Sequence, residues 1–294
     1  MNGIVNILKP PGMTSQDVVT DIRRLTGVKR VGHCGTLDPG AAGVLTVCVG
    51  KAARLFDYTA DKRKRYRFEA VFGVSSETLD SYGKEFERVP ADVSLKALEG
   101  VLPRFTGKIS QTPPMYSALK LNGTKLCDAA RRGESFDLTQ KARQVTIFAL
   151  SIVEKTGENR FLLDVECSSG TYVRTLALQL AQALGTTACV SFLLRTGSGK
   201  FSLCDCLTLD ECREIAENKG AAALLSPVET ALDFPDIQAD KYETRCLLDG
   251  KGIVRRVDDG LYRLFCCGVF VGVAVCSSGV IKLKTFFSEK EDVL

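Results

Sequence analysis

Apolar positions along the 294-residue chain change their period several times, and each change predicts an element. Ile4-Val5-Asn6-Ile7-Leu8 is a short apolar run, a strand closed by the loop Lys9-Pro10-Pro11-Gly12-Met13. Val18, Val19, Ile22 and Leu25 then recur at helical spacing, with Thr14 or Ser15 placed to cap the first turn and Gly27 to end the last. Residues 44–49 (VLTVCV) are continuously apolar and short enough for a buried strand, and 50–58 read as a helix. From residue 65 the pattern alternates. Tyr66, Phe68, Ala70 and Phe72 share one face, with Arg65, Arg67, Glu69 and Val71 on the other, so Tyr66 stands where the core face runs out. Residues 76–92, carrying Glu77, Asp80, Glu85 and Glu87, read as a solvated loop, and 95–102 as a short helix before Pro103.

Further on, 123–132 reads as a helix closing on Arg131 and Arg132, whose charges suit the negative end of the helix dipole. Residues 145–153 and 161–167 alternate as two adjacent strands about Gly157-Glu158-Asn159. Val173, Leu176, Ala177, Leu180, Ala181 and Leu184 mark a helix stopped by Gly185, and Arg174 falls in its first turn. A cation there loses about 0.3–1 kcal/mol against the dipole unless an anion compensates. Residues 189–197 form a strand, and Thr208 with Glu211 makes a capping box for another helix. Near Pro235 helical periodicity gives way to short strands at 263–265, 269–276 and 280–284, separated by glycines. The expected fold is a mixed α/β (α+β) domain around a largely antiparallel sheet, residues 1–230, followed by a small β-rich domain, residues 231–294.

Composition adds bounds. With 45% hydrophobic and 25% charged residues the chain can bury a sizeable core. Its net charge is only +4, so a nucleic-acid partner must be met by a local basic surface. Lys62-Arg63-Lys64-Arg65-Tyr66-Arg67, five cations around one aromatic, is the strongest such cluster. Twelve cysteines are scattered without a C-x-x-C, and a single histidine is present, so no zinc-site spacing can be assembled. No signal-peptide pattern opens the chain and no apolar run approaches ~20 residues, so a cytoplasmic protein with reduced, mostly buried thiols is expected.

The chemistry concentrates in Gly32-His33-Cys34-Gly35-Thr36-Leu37-Asp38-Pro39-Gly40-Ala41-Ala42-Gly43-Val44-Leu45. Gly35, Gly40 and Gly43 permit backbone angles or close approaches that a side chain forbids, while Pro39 fixes its own φ and biases Asp38 towards an extended conformation. One carboxylate is thereby presented on a stiff loop. Asp-Pro-Gly could equally be a simple turn with Asp38 bonding its own backbone.

This stretch resembles the G-H-x-G-x-L-D-P…G-x-L signature of the TruB-type tRNA pseudouridine-55 synthases. Three further segments resemble the same family: Lys9-Pro10-Pro11-Gly12-Met13-Thr14-Ser15, Gln111-Thr112-Pro113-Pro114-Met115-Tyr116-Ser117-Ala118-Leu119-Lys120, and Ser168-Ser169-Gly170-Thr171-Tyr172-Val173-Arg174-Thr175-Leu176. Together they span nearly the whole of residues 3–200. The resemblance implies Asp38 as the catalytic nucleophile, Arg174 as its catalytic arginine and Tyr66 as the ring that stacks on the target base. It also implies substrate-binding roles for His33, Tyr172, Leu193, Lys9 and Lys64, with Tyr116 and Lys120 able to line an RNA groove. Leu194 stands where the family's L-R-R-T segment has its first arginine, which removes one basic contact. The implied substrate is uridine 55 in the T-arm stem-loop of tRNA, flipped from its loop, with no metal, no cofactor and no protein partner, on a monomer. The β-rich end resembles the PUA-like RNA-binding domain of bacterial members.

Other classes fare worse. A tRNA-binding chaperone without chemistry has no need of Asp38, Tyr66 and Arg174 together. A phosphate-cradling loop lacks both G-K-[ST] and a helix-opening G-x-G-x-x-G. A two-carboxylate glycosidase lacks a second acid in a setting like that of Asp38.

Overall fold

The computed structural model describes residues 1–59, 63–83, 86–121 and 123–293, so Lys62 of the basic cluster and Glu85 of the polar stretch lie outside the described residues. Among the described residues the centre is a nine-stranded sheet. Its order is Gly3–Lys9, Ala42–Val49, Ala188–Ser198, Lys64–Phe72, Arg160–Cys167, Arg143–Gly157 and Gly107–Gln111, with Val31–His33 and Phe201–Ser202 paired at the side. Every neighbouring pair is antiparallel except Ala42–Val49 beside Ala188–Ser198, which is parallel.

Alternation works as the sequence reading expects. Phe68, Ala70 and Phe72 are buried with Phe161, Leu163 and Val165 of the next strand, under Val173, Leu176, Ala177 and Leu180 of the helix Val173–Ala183. On the other side the helix Ser15–Thr26 packs Val18, Val19 and Ile22 on Val5, Ile7, Leu45 and Val47. Thr14 caps that helix in a reciprocal box with Asp17, and Gly27 ends it at φ 66°.

The parallel pairing has a specific cause. Gly43 stands at φ +114°, and a Cβ there would lie 2.2 Å from the Arg195 carbonyl oxygen, so only glycine lets the two strands meet. Lys64–Phe72 lies between Ala188–Ser198 and Arg160–Cys167, which places Tyr66 opposite both Arg195 and Val165.

Three local expectations are corrected. The predicted helix at 50–58 is a 3₁₀ segment, Gly50–Leu55, followed by one α-turn, Phe56–Thr59. The predicted helix at 123–132 begins only at Leu126, because Thr124–Lys125 pairs with Lys120–Leu121 as a small hairpin. Residues 76–92 are not simply solvated. Val74–Ser76 pairs with Phe86–Arg88, and Ser81 N–H donates to the Val190 carbonyl at 3.0 Å, tying the segment to the central sheet.

A second sheet follows from Asp236, ordered Asp236–Ala239, Gly260–Cys266, Val269–Ser277, Val280–Phe286 and Ile253–Val254, with the helix Lys241–Leu248 beside it. Its two shortest strands carry too few residues to show a period, which is why sequence reading found only the other three. Phe270, Val273 and Phe287 of this part pack with Ile4, Cys48, Leu55, Tyr58, Val228 and Leu232. The Tyr58 and Thr285 hydroxyls bond each other, and Lys51 Nζ pairs with Glu289 at 2.6 Å. Among the described residues no helix is long and apolar enough to cross a membrane.

Phe287 is 2% exposed and stacked on Phe270 at 5.8 Å between ring centroids. Phe287→Ala is expected to lower stability by about 3–5 kcal/mol. Urea denaturation followed by circular dichroism checks this, and a loss below about 1 kcal/mol would mean that the seam relaxes around the gap.

Candidate active site

The signature loop is tied down at several points. Ser15 Oγ donates to the Leu37 carbonyl at 3.0 Å and accepts from the Leu37 N–H at 2.9 Å. Gly12 N–H donates to the Pro39 carbonyl at 2.8 Å, and Ala41 N–H turns back to the Asp38 carbonyl at 3.0 Å. Lys9 has no exposed surface, and its ammonium donates to the carbonyls of Pro10, Met13 and Pro39. Burial pushes that ammonium down to about 8, against the pull of Asp38. Lys9 thus ties the loop to the end of the first strand, and in place of the exposed cation expected of a phosphate contact its ammonium is turned inward onto three carbonyls.

Two arginines from distant strands and helices complete the loop. Arg195 is 1% exposed; its Nε donates to the Val44 carbonyl at 2.7 Å, Nη1 to Thr36 at 3.2 Å and Nη2 to Gly35 at 3.1 Å. Arg174 is the compensated cation that the helix dipole demands. Its Nη2 lies 2.8 Å from Asp38 Oδ2 and its Nη1 lies 3.8 Å from Asp80 Oδ2. The same guanidinium donates to the Thr78 carbonyl at 2.6 Å and the Tyr116 carbonyl at 2.9 Å. Its side chain is 4% exposed while that of Asp38 is 35% exposed, so the buried cation holds a carboxylate that still faces open space.

That space is a cavity of about 390 Å³. Asp38, Arg174, Tyr66, His33, Tyr172, Leu193 and Lys64, all expected in the site, line it together with Arg195 and Arg143. Lys64 donates to Ser198 Oγ at 2.7 Å. Burial raises the Tyr66 phenol above its ordinary range, so the ring stays neutral. The His33 imidazole is pushed below its ordinary value by burial and then by the Arg195 charge, so it stays uncharged at neutral pH. His33 Nδ1, Ser117 Oγ and Arg143 Nε are buried without a hydrogen-bond partner among the described residues. Orphaned polar atoms around one cavity are what a ligand site leaves.

Tyr116 and Lys120 do not line the cavity. The Tyr116 hydroxyl donates to Glu77 at 3.2 Å, and Lys120 is exposed in the small hairpin. Sequence reading missed three residues that build the site. Gln111, fully buried, exchanges two bonds with the Tyr172 backbone at 2.9 and 3.2 Å and so fixes the turn before Arg174. Asp80 reads in the sequence as a loop acid, and Arg195 as part of a strand resembling the family's L-R-R-T segment, with nothing to show what it holds. For Gln111 the signal was available, since it opens one of the four motifs.

The sequence and the fold agree with known proteins. Residues 23–173 match the family model "TruB family pseudouridylate synthase (N terminal domain)", and residues 174–233 match "tRNA pseudouridylate synthase B C-terminal domain". The chain belongs to the TruB family of pseudouridylate synthases. It is similar to proteins named tRNA pseudouridine synthase B: 40% identical to that of Caldanaerobacter subterraneus subsp. tengcongensis, over 98% of this chain and 99% of the relative. With the protein of that name from Pelotomaculum thermopropionicum it shares 47% identity over 81% and 76% of the two chains. In fold it resembles the structure of an H/ACA RNP bound to a substrate RNA containing 2'-deoxyuridine, at TM-score 0.75 and 20% identity, covering 99% of this chain and 87% of that one. A Cbf5-Nop10-Gar1 complex matches at TM-score 0.75 and 22% identity over 98% and 86%.

Arg195→Lys cannot keep three forked bonds to backbone carbonyls. It is expected to reduce kcat about 10- to 100-fold through displacement of the loop, with the far-ultraviolet spectrum unchanged; wild-type kcat would show that the fork is dispensable. His33, the single histidine, gives one unambiguous NMR titration, expected with its midpoint below 6.5. Its folded value lies below the unfolded one, so the unfolded chain binds this proton first and stability falls as pH drops below about 6.5. A midpoint at or above 6.5 would overturn the neutral assignment.

Proposed function

We propose that this chain isomerises uridine 55 in the T loop of tRNA to pseudouridine, with Asp38 as nucleophile. The observation that carries the reading is the Asp38–Arg174 pair at 2.8 Å, opening on a cavity walled by Tyr66, Leu193 and His33. The names of the relatives point to the same substrate class.

The reaction breaks the bond from C1′ to N1 of uracil, turns the base and joins C1′ to C5. One proton leaves C5 for water and one is gained at N1, so no redox partner or external energy is required. A carboxylate is needed at the sugar–base junction, and Asp38 supplies it in ionised form beside a guanidinium that offsets its desolvation. Arg174 is itself fixed by two backbone carbonyls and by Asp80, so its charge is in place before substrate arrives.

A uridine inside a folded loop must be extruded at a cost of a few kcal/mol, offset by stacking and edge contacts in the pocket. Tyr66, anchored between two strands, offers the stacking face, Leu193 a second apolar wall, and His33 a neutral ring at the cavity edge. Tyr172 lies under the Arg143 guanidinium at 4.7 Å. Recognition of the T arm is by shape and phosphate. Within the basic cluster Arg63 and Arg67 pair with Glu166 and Asp164 at 3.1 and 2.7 Å and Lys64 is buried, which leaves Arg65, among the described residues, as its exposed cation for that role. We place the catalytic unit at 1–230 and read 231–294 as a PUA-like module that holds the tRNA body; the enzyme acts as a monomer without a protein partner.

Tritium release from 5-³H-uridine in a T-arm stem-loop tests the reading. Wild type is expected to release one equivalent, and Asp38→Asn to lose at least ~10³-fold while RNA affinity stays within about threefold. Tight binding with no release by either protein would leave an RNA-binding protein without chemistry.

A further inference from the structure

Two aromatic rings beside the catalytic pair are exposed and used by nothing described so far. Tyr82 is 60% exposed and Phe192 is 45% exposed. Neither has a ring or cation partner among the described residues.

They are held side by side. Ser81 N–H donates to the Val190 carbonyl and Val190 N–H to the Leu79 carbonyl, both at 3.0 Å, which sets Asp80 against Val190 in a parallel bridge. Tyr82 and Phe192 each follow two residues later. Tyr82 N–H also donates to Asp80 Oδ1 at 3.1 Å, so the backbone carrying the ring is fixed by the same acid that faces Arg174. The Tyr82 ring lies directly on the signature loop: a Cβ at Gly40 would come within 2.1 Å of it.

Tyr82 and Phe192 line a shallow cleft with Asp38, Gly40, Arg174 and Leu193. Three of these residues, Asp38, Arg174 and Leu193, also line the catalytic cavity, so the cleft and the cavity share a wall. Exposed aromatic faces next to a site that takes a single extruded base are what successive bases of an unstacked strand require. A folded protein gains nothing by leaving two large rings in water at this place.

We propose that Tyr82 and Phe192 form a second base-stacking platform, which holds an unpaired nucleobase of the same RNA strand next to the extruded uridine. This rests on the function proposed above. The occupant is a nucleobase because the two ring faces adjoin the nucleotide pocket and share its wall. One base resting on these rings keeps the strand open on one side of the target and so favours extrusion.

The test uses the full chain and a T-arm stem-loop RNA in which each loop nucleotide except the target is made abasic in turn. Tyr82→Ala with Phe192→Ala is expected to raise the dissociation constant roughly 5- to 100-fold. Tyr82→Phe with Phe192→Tyr should restore it, which a loss of specific polar contacts would not allow. One abasic position should weaken wild type by a similar factor and leave the double alanine variant unaffected; 2-aminopurine at that position should be quenched by wild type only. If the double alanine variant binds every RNA within twofold of wild type, the platform does not exist. The same holds if no abasic position is coupled to the two rings. These readouts are binding measurements, so they stand or fall separately from tritium release by wild type, which judges the isomerase reading itself.

Discussion

Arg174 is the point through which the rest of the site is joined. One guanidinium, almost wholly removed from water, meets Asp38 of the signature loop, Asp80 and the Thr78 carbonyl of the next segment, and the Tyr116 carbonyl of a third. A buried cation with fewer partners would be strongly destabilising, and a buried carboxylate without the cation equally so. Each segment therefore holds its position because the other two are present. The geometry of Asp38 is a property of this node more than of its own loop.

A second restraint acts on the loop from beneath. Arg195 closes three backbone carbonyls that a tight, glycine-rich turn cannot satisfy internally, and Lys9 closes three more. Three of the cations nearest the loop, Lys9, Arg195 and Arg174, are thus spent on backbone carbonyls or on the Asp38 carboxylate. The RNA backbone is left to residues farther out, in keeping with a net charge of only +4. Tyr66, set between two strands at the end of the core face, gains rigidity at the edge of the hydrophobic layer without being covered by it.

Much of this was legible in the residues. Local periodicity found the long strands and the helices that bury one face, since burial of Val18, Val19 and Ile22 or of Phe68 and Ala70 leaves a mark every 3.6 or 2 positions. The motifs brought Asp38, Tyr66 and Arg174 together on resemblance, and the structure sets all three around one cavity. What local pattern cannot show is a role created by a distant partner. Asp80 looked like any acid in a polar stretch until Arg174 came to face it, and Lys9 looked like a lysine free to meet phosphate until the loop closed over it. Arg195 stood in the L-R-R-T-like segment, but its task stayed hidden, because its three acceptors are backbone groups and leave nothing in the side-chain sequence.

The separation of these partners along the chain bears on how the protein assembles. Arg195 reaches carbonyls 151 to 160 residues earlier, and Ile4 bridges to Ser226. During synthesis the amino-terminal strand and the signature loop leave the ribosome long before the Arg174 and Arg195 restraints exist. Contacts of such high order form slowly, after local elements have condensed. The carboxylate is consequently one of the last groups to be fixed. A nascent or truncated chain would carry the complete signature with its local ties to Lys9, Gly12 and Ser15 but without the Arg174 and Arg195 contacts that complete it.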